Sequence, residues 1–242
     1  LRDALSDIEL DLNYSVSEDS DILVRNTVVR NAGKEAAELE KAFSFCTELP
    51  DTCGTRSALR LAGAWASERK PIVTPIAEGS LRIESLCGYS SHAMNPFLAV
   101  LSEGCAEEDG ECCGFCLLYS GSFSITADVS SEKSIRVQGG VNDYLFGWQL
   151  KGGESFVTPQ AALCYSAAGL GGMSRAYHDF FREYIIDPKR VYARRPVVIN
   201  NWEATYFDFD NEKLCSIIDE AAKLGMDKVG GQAVLGRQSF CT

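Results

Sequence analysis

The sequence predicts a mainly β chain: an antiparallel β-sandwich, then a linker helix, then the opening strand–helix unit of a parallel α/β domain. Three observations carry this expectation. Short apolar, β-branched runs alternate with Gly, Ser and Asp clusters as far as about residue 170, the spacing of an antiparallel sandwich. Helical periodicity first sets in at Met173. The apolar run Val197–Ile199 is then followed, past Asp210, by a second segment of helical period, and strand followed by helix is the repeating unit of a parallel fold.

In chain order, DILVRNTVVR (Asp21–Arg30) has the β-branched content of a strand, and Asn31, Ala32 and Gly33 supply a turn. Further strands are expected at Leu81–Leu86, Phe97–Leu101, Gly114–Tyr119, Ser134–Val137, Tyr144–Leu150 and Ala161–Tyr165. Ser174 is placed to cap a helix with Tyr177, Phe180, Phe181, Tyr184 and Ile185 on one face, ended by Pro188. The basic segment DPKRVYARRP then reads as a linker, giving expected domains at 1–173 (sandwich), 174–195 (linker helix and basic linker) and 196–242 (α/β).

Val197, Val198 and Ile199 lead into Asn200 and Asn201 and read as a strand buried on both faces. Trp202 stands at its carboxyl end, where ligands sit in parallel α/β folds. Asp210 or Asn211 can cap the helix that follows, Leu214, Ile217, Ile218 and Ala221 form its apolar face, and Gly225 can close it.

The 242 residues are 45% hydrophobic and 24% charged, the composition of a soluble globular protein. A net charge of −11, with no basic cluster beyond Lys189–Arg195, repels nucleic acid and anionic lipid, so a neutral partner such as an uncharged sugar is favoured. No apolar run is long enough to span a bilayer, and the acidic opening LRDALSDIELDLNY lacks the basic start of a signal peptide. Ten scattered cysteines in a chain of this size are expected to be reduced thiols in a cytoplasm.

On the residues alone, Trp202 and Trp65 read as packing tryptophans. Glu203 lacks the second carboxylate that glycoside hydrolysis needs and is expected to be a structural hydrogen-bonding residue. Asp208 and Asp210 flank a helix start and are expected to serve there. His92 and His178, the only histidines, lie too far apart in sequence for a metal site. Cys113 and Cys116 of the CCGFC run fall on opposite faces of an expected strand, so packing, not zinc, is their expected role. Neither Gly152-Gly153 nor Gly171-Gly172 has phosphate-loop spacing. No cofactor and no metal are expected.

A family resemblance runs through these segments. NNWEATYFDF (Asn200–Phe209) resembles the opening barrel strand of the bacterial α-galactosidases of glycoside hydrolase family 36. Upstream stretches agree in order: GAWASER at Gly63–Arg69, SSHxxNPF at Ser90–Phe97, GFCLLYSGSF at Gly114–Phe123, FGWQL at Phe146–Leu150 and ESFVTPQAALCYSAAGLGGMS at Glu154–Ser174. The resemblance implies that 196–242 opens a (β/α)8 catalytic barrel, which takes roughly 250 residues when complete. It implies release of terminal α-galactose from melibiose- or raffinose-type sugars by a retaining mechanism with two aspartates. Both aspartates lie on later barrel strands, so the expectation is a fragment with no catalytic residue, inactive alone, of a homo-oligomeric enzyme. The resemblance also makes Trp202 and Trp65 lining residues of the galactose pocket. After Asp227 the sequence KVGGQAVLGRQSFCT departs from the family, whose second barrel strand ends in paired aspartates. Alternatives from other classes stay open: a non-catalytic carbohydrate-binding or oligomer-forming sandwich, or an enzyme specific for α-N-acetylgalactosaminides or for galactosyl transfer.

Overall fold

The computed structural model describes residues 1–3, 5–50, 56–130 and 134–230. Its strands, in order, are β1 (Arg2–Asp3), β2 (Ile8–Ser17), β3 (Ser20–Asn31), β4 (Ala37–Leu39), β5 (Phe43–Leu49), β6 (Ser57–Ala64), β7 (Ser67–Pro75), β8 (Gly79–Ser85) and β9 (Met94–Leu101). They continue with β10 (Cys112–Leu118), β11 (Phe123–Val129), β12 (Ile135–Val141), β13 (Trp148–Leu150), β14 (Ser155–Val157) and β15 (Gln160–Ser166). Helix α1 (Gly169–Phe180) runs into a π-helical turn at Phe181–Ile185. There follow α2 (Pro188–Val191), β16 (Val198–Asn200), α3 (Trp202–Thr205), α4 (Asn211–Lys223) and β17 (Lys228–Gly230). The chain divides into two compact units, Leu1–Ile185 and Ile186–Thr242.

The first unit is an antiparallel sandwich, as its alternating pattern requires. Nine strands form one sheet in the order β1-β2-β3-β15-β10-β9-β6-β7, with β14 also on β3, and four form the other as β5-β12-β11-β8. The smaller sheet lies over the middle of the larger one, with β5 against β3 and β15, and β8 and β11 against β9. Between them Phe45, Ile83, Leu98, Phe115, Phe123 and Ile125 are fully buried. Phe45 stacks on Phe115 with ring centres 5.5 Å apart, which joins the sheets at the centre.

The outer face of the large sheet is covered by α1. Met173, Tyr177 and Phe180 pack there with Ile22, Ala99, Cys112 and Cys164, and the buried Tyr177 hydroxyl donates to the Ala162 carbonyl at 2.9 Å. The helix begins at Gly169, not at Ser174. A left-handed Gly169 (φ 67°) lets the loop at 106–110 close on the helix start, because a Cβ there would meet the Ala106 oxygen at 2.5 Å. The carbonyls of Gly110, Ala106 and Glu107 then accept from the amides of Gly169, Leu170 and Gly171, satisfying donors that a helix otherwise leaves open.

Two other expectations are corrected. Of Tyr144–Leu150 only Trp148–Leu150 is strand, because the Asn142 side chain accepts the Tyr144 amide and Leu145 turns left-handed (φ 55°). The run Val197–Ile199 is not buried on both faces: Val197 and Val198 are about half exposed, because among the described residues β16 pairs with β17 alone, in parallel. In this second unit Asp210 caps α4 by accepting the Lys213 amide at 2.8 Å, Asp208 pairs with the Lys213 ammonium, and a left-handed Gly225 (φ 76°) follows the helix end.

Candidate functional site

Trp65 occupies the tip of the β6–β7 hairpin, and its position there follows from its neighbours. Ala64 pairs with Ser67 across a two-residue loop, which requires a left-handed residue that Ala66 supplies at φ 57°. The Ala66 amide is held by the Glu68 carboxylate at 3.0 Å. Gly63 lies where the chain doubles back closely; a Cβ would approach the Ser67 oxygen to 2.5 Å and the Glu68 Cα to 2.8 Å. The result is a tight, internally braced tip on which Trp65 is 86% exposed. The packing role read from its alanine neighbours is therefore excluded within this chain.

Trp202 follows β16 directly. The Asn200 side chain accepts its amide at 2.7 Å, turning the chain from strand into the single turn of α3. Its indole is part-exposed and packs edge-on with Tyr206 and Phe207, centres 5.4 and 4.8 Å away, and both partners are themselves exposed. It is not a core tryptophan of the second unit. Beside it, Asn201 is 3% exposed; its amide donates to Thr205 Oγ1 at 2.9 Å, while its Oδ1 has no partner among the described residues. A buried acceptor left open is costly, and it marks a polar position next to Trp202 that sequence reasoning treated only as a strand end. Glu203 is exposed, and no hydrogen bond to its carboxylate occurs among the described residues.

A groove of about 680 Å³ lies in the first unit between α1 and the outer face of β6, β7, β9 and β10. Four of the stretches that carry the family resemblance converge on it from distant parts of the sequence: Arg69, then Asn95 to Phe97, then Cys116, then Met173 and Ser174. Asn95 Oδ1 is buried without a partner among the described residues. Burial pushes the Cys116 thiol up to about 12, against a lowering by Arg69, so it stays protonated. His178, on α1, reaches this groove, whereas His92 is exposed in the β8–β9 loop. Cys113 and Cys116 lie in the two separate apolar clusters on opposite faces of the large sheet. Among the described residues no three His, Cys, Asp or Glu side chains gather as a metal would require.

The family model for the glycosyl hydrolase family 36 N-terminal domain matches residues 1–151, and the melibiase model matches 155–230. The chain belongs to glycosyl hydrolase family 36. Among its family 36 relatives, Alpha-galactosidase Mel36A of Lactobacillus acidophilus is 40% identical over 227 residues, 94% of this chain and 31% of that protein. Alpha-galactosidase AgaA of Geobacillus stearothermophilus is 38% identical over 229 residues, 95% of this chain and 31% of its own length. The crystal structure of the α-galactosidase from Lactobacillus brevis superposes with a TM-score of 0.90 at 35% identity, covering 95% of this chain and 31% of that one. An AgaA variant solved with stachyose superposes at 0.89, and another solved with raffinose does likewise. The chain thus spans about a third of the length of the relatives it matches, and over that third its mainly β antiparallel fold superposes on theirs.

Proposed function

We propose that the chain is the sheet domain and the opening strand–helix unit of an α-galactosidase, a retaining glycoside hydrolase that frees terminal α-D-galactose from melibiose- and raffinose-type oligosaccharides. The observation that carries this reading is continuity: similarity to proteins named α-galactosidases holds over 94–95% of the chain and through both compact units. The raffinose- and stachyose-bound relatives support the substrate class.

In this reading residues 1–173 are the sandwich domain, 174–195 the linker and 196–242 the start of a (β/α)8 barrel. Trp202 and Trp65 line the sugar pocket. An indole face matches the apolar C–H face of a pyranose and excludes water from it. The exposure of Trp65 on a braced hairpin supports that role, because a large aromatic held in solvent contributes nothing to the fold beneath it. The two aspartates that attack the anomeric carbon and move the proton belong to later barrel strands of the family. The whole enzyme acts in the cytoplasm as a homo-oligomer, without cofactor or metal.

The test uses two proteins. The 242-residue chain alone is expected to hydrolyse an α-galactoside no faster than a blank. In a full-length family 36 enzyme carrying this segment, Trp65→Ala and Trp202→Ala are each expected to lower kcat/KM at least tenfold, with the thermal midpoint held. Turnover by the short chain, or unchanged kcat/KM in both variants, overturns the assignment.

A further inference from the structure

The outer face of the small sheet carries a second cleft, of about 450 Å³, lined by Arg82, Glu84, Leu86, Asp143, Tyr144 and Leu145. Arg82 and Glu84 stand two residues apart on β8, the edge strand of that sheet, so both project to the same side, while Ile83 and Ser85 are buried. The loop after β12 supplies the rest of the lining, and the buried Asn142 ties the two parts together. Its Nδ2 donates to Glu84 Oε2 at 3.1 Å and to the carbonyls of Ser85 and Phe123 at 3.3 and 2.9 Å. Its Oδ1 accepts from Arg82 Nη2 at 3.2 Å and from the Tyr144 amide at 2.9 Å. Arg82 also donates to Glu84 Oε2 at 2.9 Å and to Asp143 Oδ1 at 2.6 Å.

These polar groups are fixed by one another yet not exhausted. Among the described residues no hydrogen bond reaches Glu84 Oε1 or leaves Arg82 Nη1, and Asp143 Oδ2 faces the Lys41 ammonium at 3.7 Å, too far for a hydrogen bond. Charge cancels within the cluster, since Arg82 and Lys41 balance Glu84 and Asp143. Neither an anion nor a cation is favoured there. Apolar groups stand beside the polar ones: Leu86 and Tyr144 are exposed, and Leu145 is 88% exposed. Leu145 is left-handed (φ 55°), a conformation that a bulky residue adopts at a cost, and at that exposure it gains nothing from the core beneath.

We propose that this cleft is a binding site for a neutral oligosaccharide, separate from the Trp65 hairpin tip, whose strands β6 and β7 belong to the large sheet. Sugar hydroxyls both donate and accept, so they use Glu84 and Asp143 as acceptors and Arg82 as a donor. The Tyr144 ring and the Leu86 and Leu145 side chains cover the apolar C–H face of the sugar. Because the Asn142 network already holds the polar groups in place, little ordering is needed on binding. The chemistry of the cleft selects neutral sugars as a class; raffinose as the first probe rests on the α-galactosidase reading.

The isotope-labelled chain is titrated with raffinose and, in parallel, with maltotriose and with glycerol, and its amide shifts are followed by NMR. Saturable shifts are expected at Glu84, Leu86, Tyr144 and Leu145 with at least one of the two sugars, with half-saturation on the order of 1 mM. Tyr144→Ala is expected to weaken that binding at least fivefold. Leu145→Gly suits the left-handed position, so it is expected to hold the thermal midpoint while weakening binding to a similar degree. No cleft shift with either sugar, equal shifts with glycerol, or unchanged affinity in either variant overturns the proposal. Shifts of the same amides with protein concentration alone, which would make the surface a contact between copies, overturn it as well. Hydrolysis by the full-length enzyme and its Trp65 and Trp202 variants is read separately, so this inference and the α-galactosidase reading can each fall alone.

Discussion

At the scale of single residues, the hairpin tip separates two kinds of requirement. Gly63 is demanded by the fold, since its missing Cβ is what lets Ser67 and Glu68 pass at 2.5 and 2.8 Å. Gly63→Ala is expected to destabilise the first unit by about 1–3 kcal/mol, the cost of overpacking a close approach, as measured by urea unfolding. Trp65, two residues on, is demanded by nothing beneath it; Trp65→Ala should leave the same unfolding curve within about 0.5 kcal/mol. The pair of measurements distinguishes a residue kept for architecture from one kept for contact with something else. Neighbouring alanines gave no hint of this difference, because exposure at a hairpin tip depends on where the turn falls.

Among the elements, those whose pattern follows from a single face were legible in the sequence. Asp210 capping α4 and the strand cores around Phe97–Leu101, Gly114–Leu118 and Ala161–Tyr165 all follow from local pattern, and the structure contains them. Elements fixed by distant partners were not legible. The start of α1 depends on carbonyls some sixty residues upstream, and β6 and β7 carry Arg60, Arg69 and Lys70, with Pro71 at the exposed sheet edge, a composition that hides strand character. The loop after β12 illustrates a third case, in which a side-chain turn replaces an expected strand. There Asp143 accepts from Arg82 at 2.6 Å, Arg82 also pairs with Glu84, and the Arg82 hydrogen bond holds the Asp143 carboxyl below its ordinary value of 3.8. A carboxylate depressed in the folded state contributes stability that is complete above its unfolded pKa and fades as pH falls through the folded one. Asp143→Asn should therefore lower the thermal midpoint at pH 7, and the gap from the parent chain should narrow as pH falls below about 4. A gap of constant size across that range would show that the carboxylate charge is irrelevant.

For the molecule as a whole, the two units differ in how completely they bury their own apolar surface. The first has an apolar cluster on each face of its large sheet. Among its described residues the second has one buried aliphatic residue, Ala221, while Val197, Val198, Phe207, Ile218 and Leu224 are exposed, and the two-stranded parallel sheet and one main helix described there cannot cover them. The chain is expected to bind an apolar-surface dye at neutral pH, and a version ending at Ile185 to bind markedly less. Equal dye fluorescence from the two would contradict this account. The identity of the family was readable from ordered motifs, whereas the groove on which those motifs meet was not, since strand order brings Arg69, Asn95 and Met173 together only after β6, β9 and β10 have paired.

The central position of β10 has a further consequence, visible in deuterated solvent. This strand is hydrogen-bonded along both edges, to β9 and β15, with Phe115 stacked on Phe45 on one side and Gly114 pressed against Met173 and Tyr177 on the other. No local fluctuation can free its amides without separating three layers at once. Amide protons of Gly114 to Leu117 should therefore exchange only through global unfolding, at a rate set by the full stability of the first unit. Those on the open edge of β7 should be lost within the dead time of the same experiment.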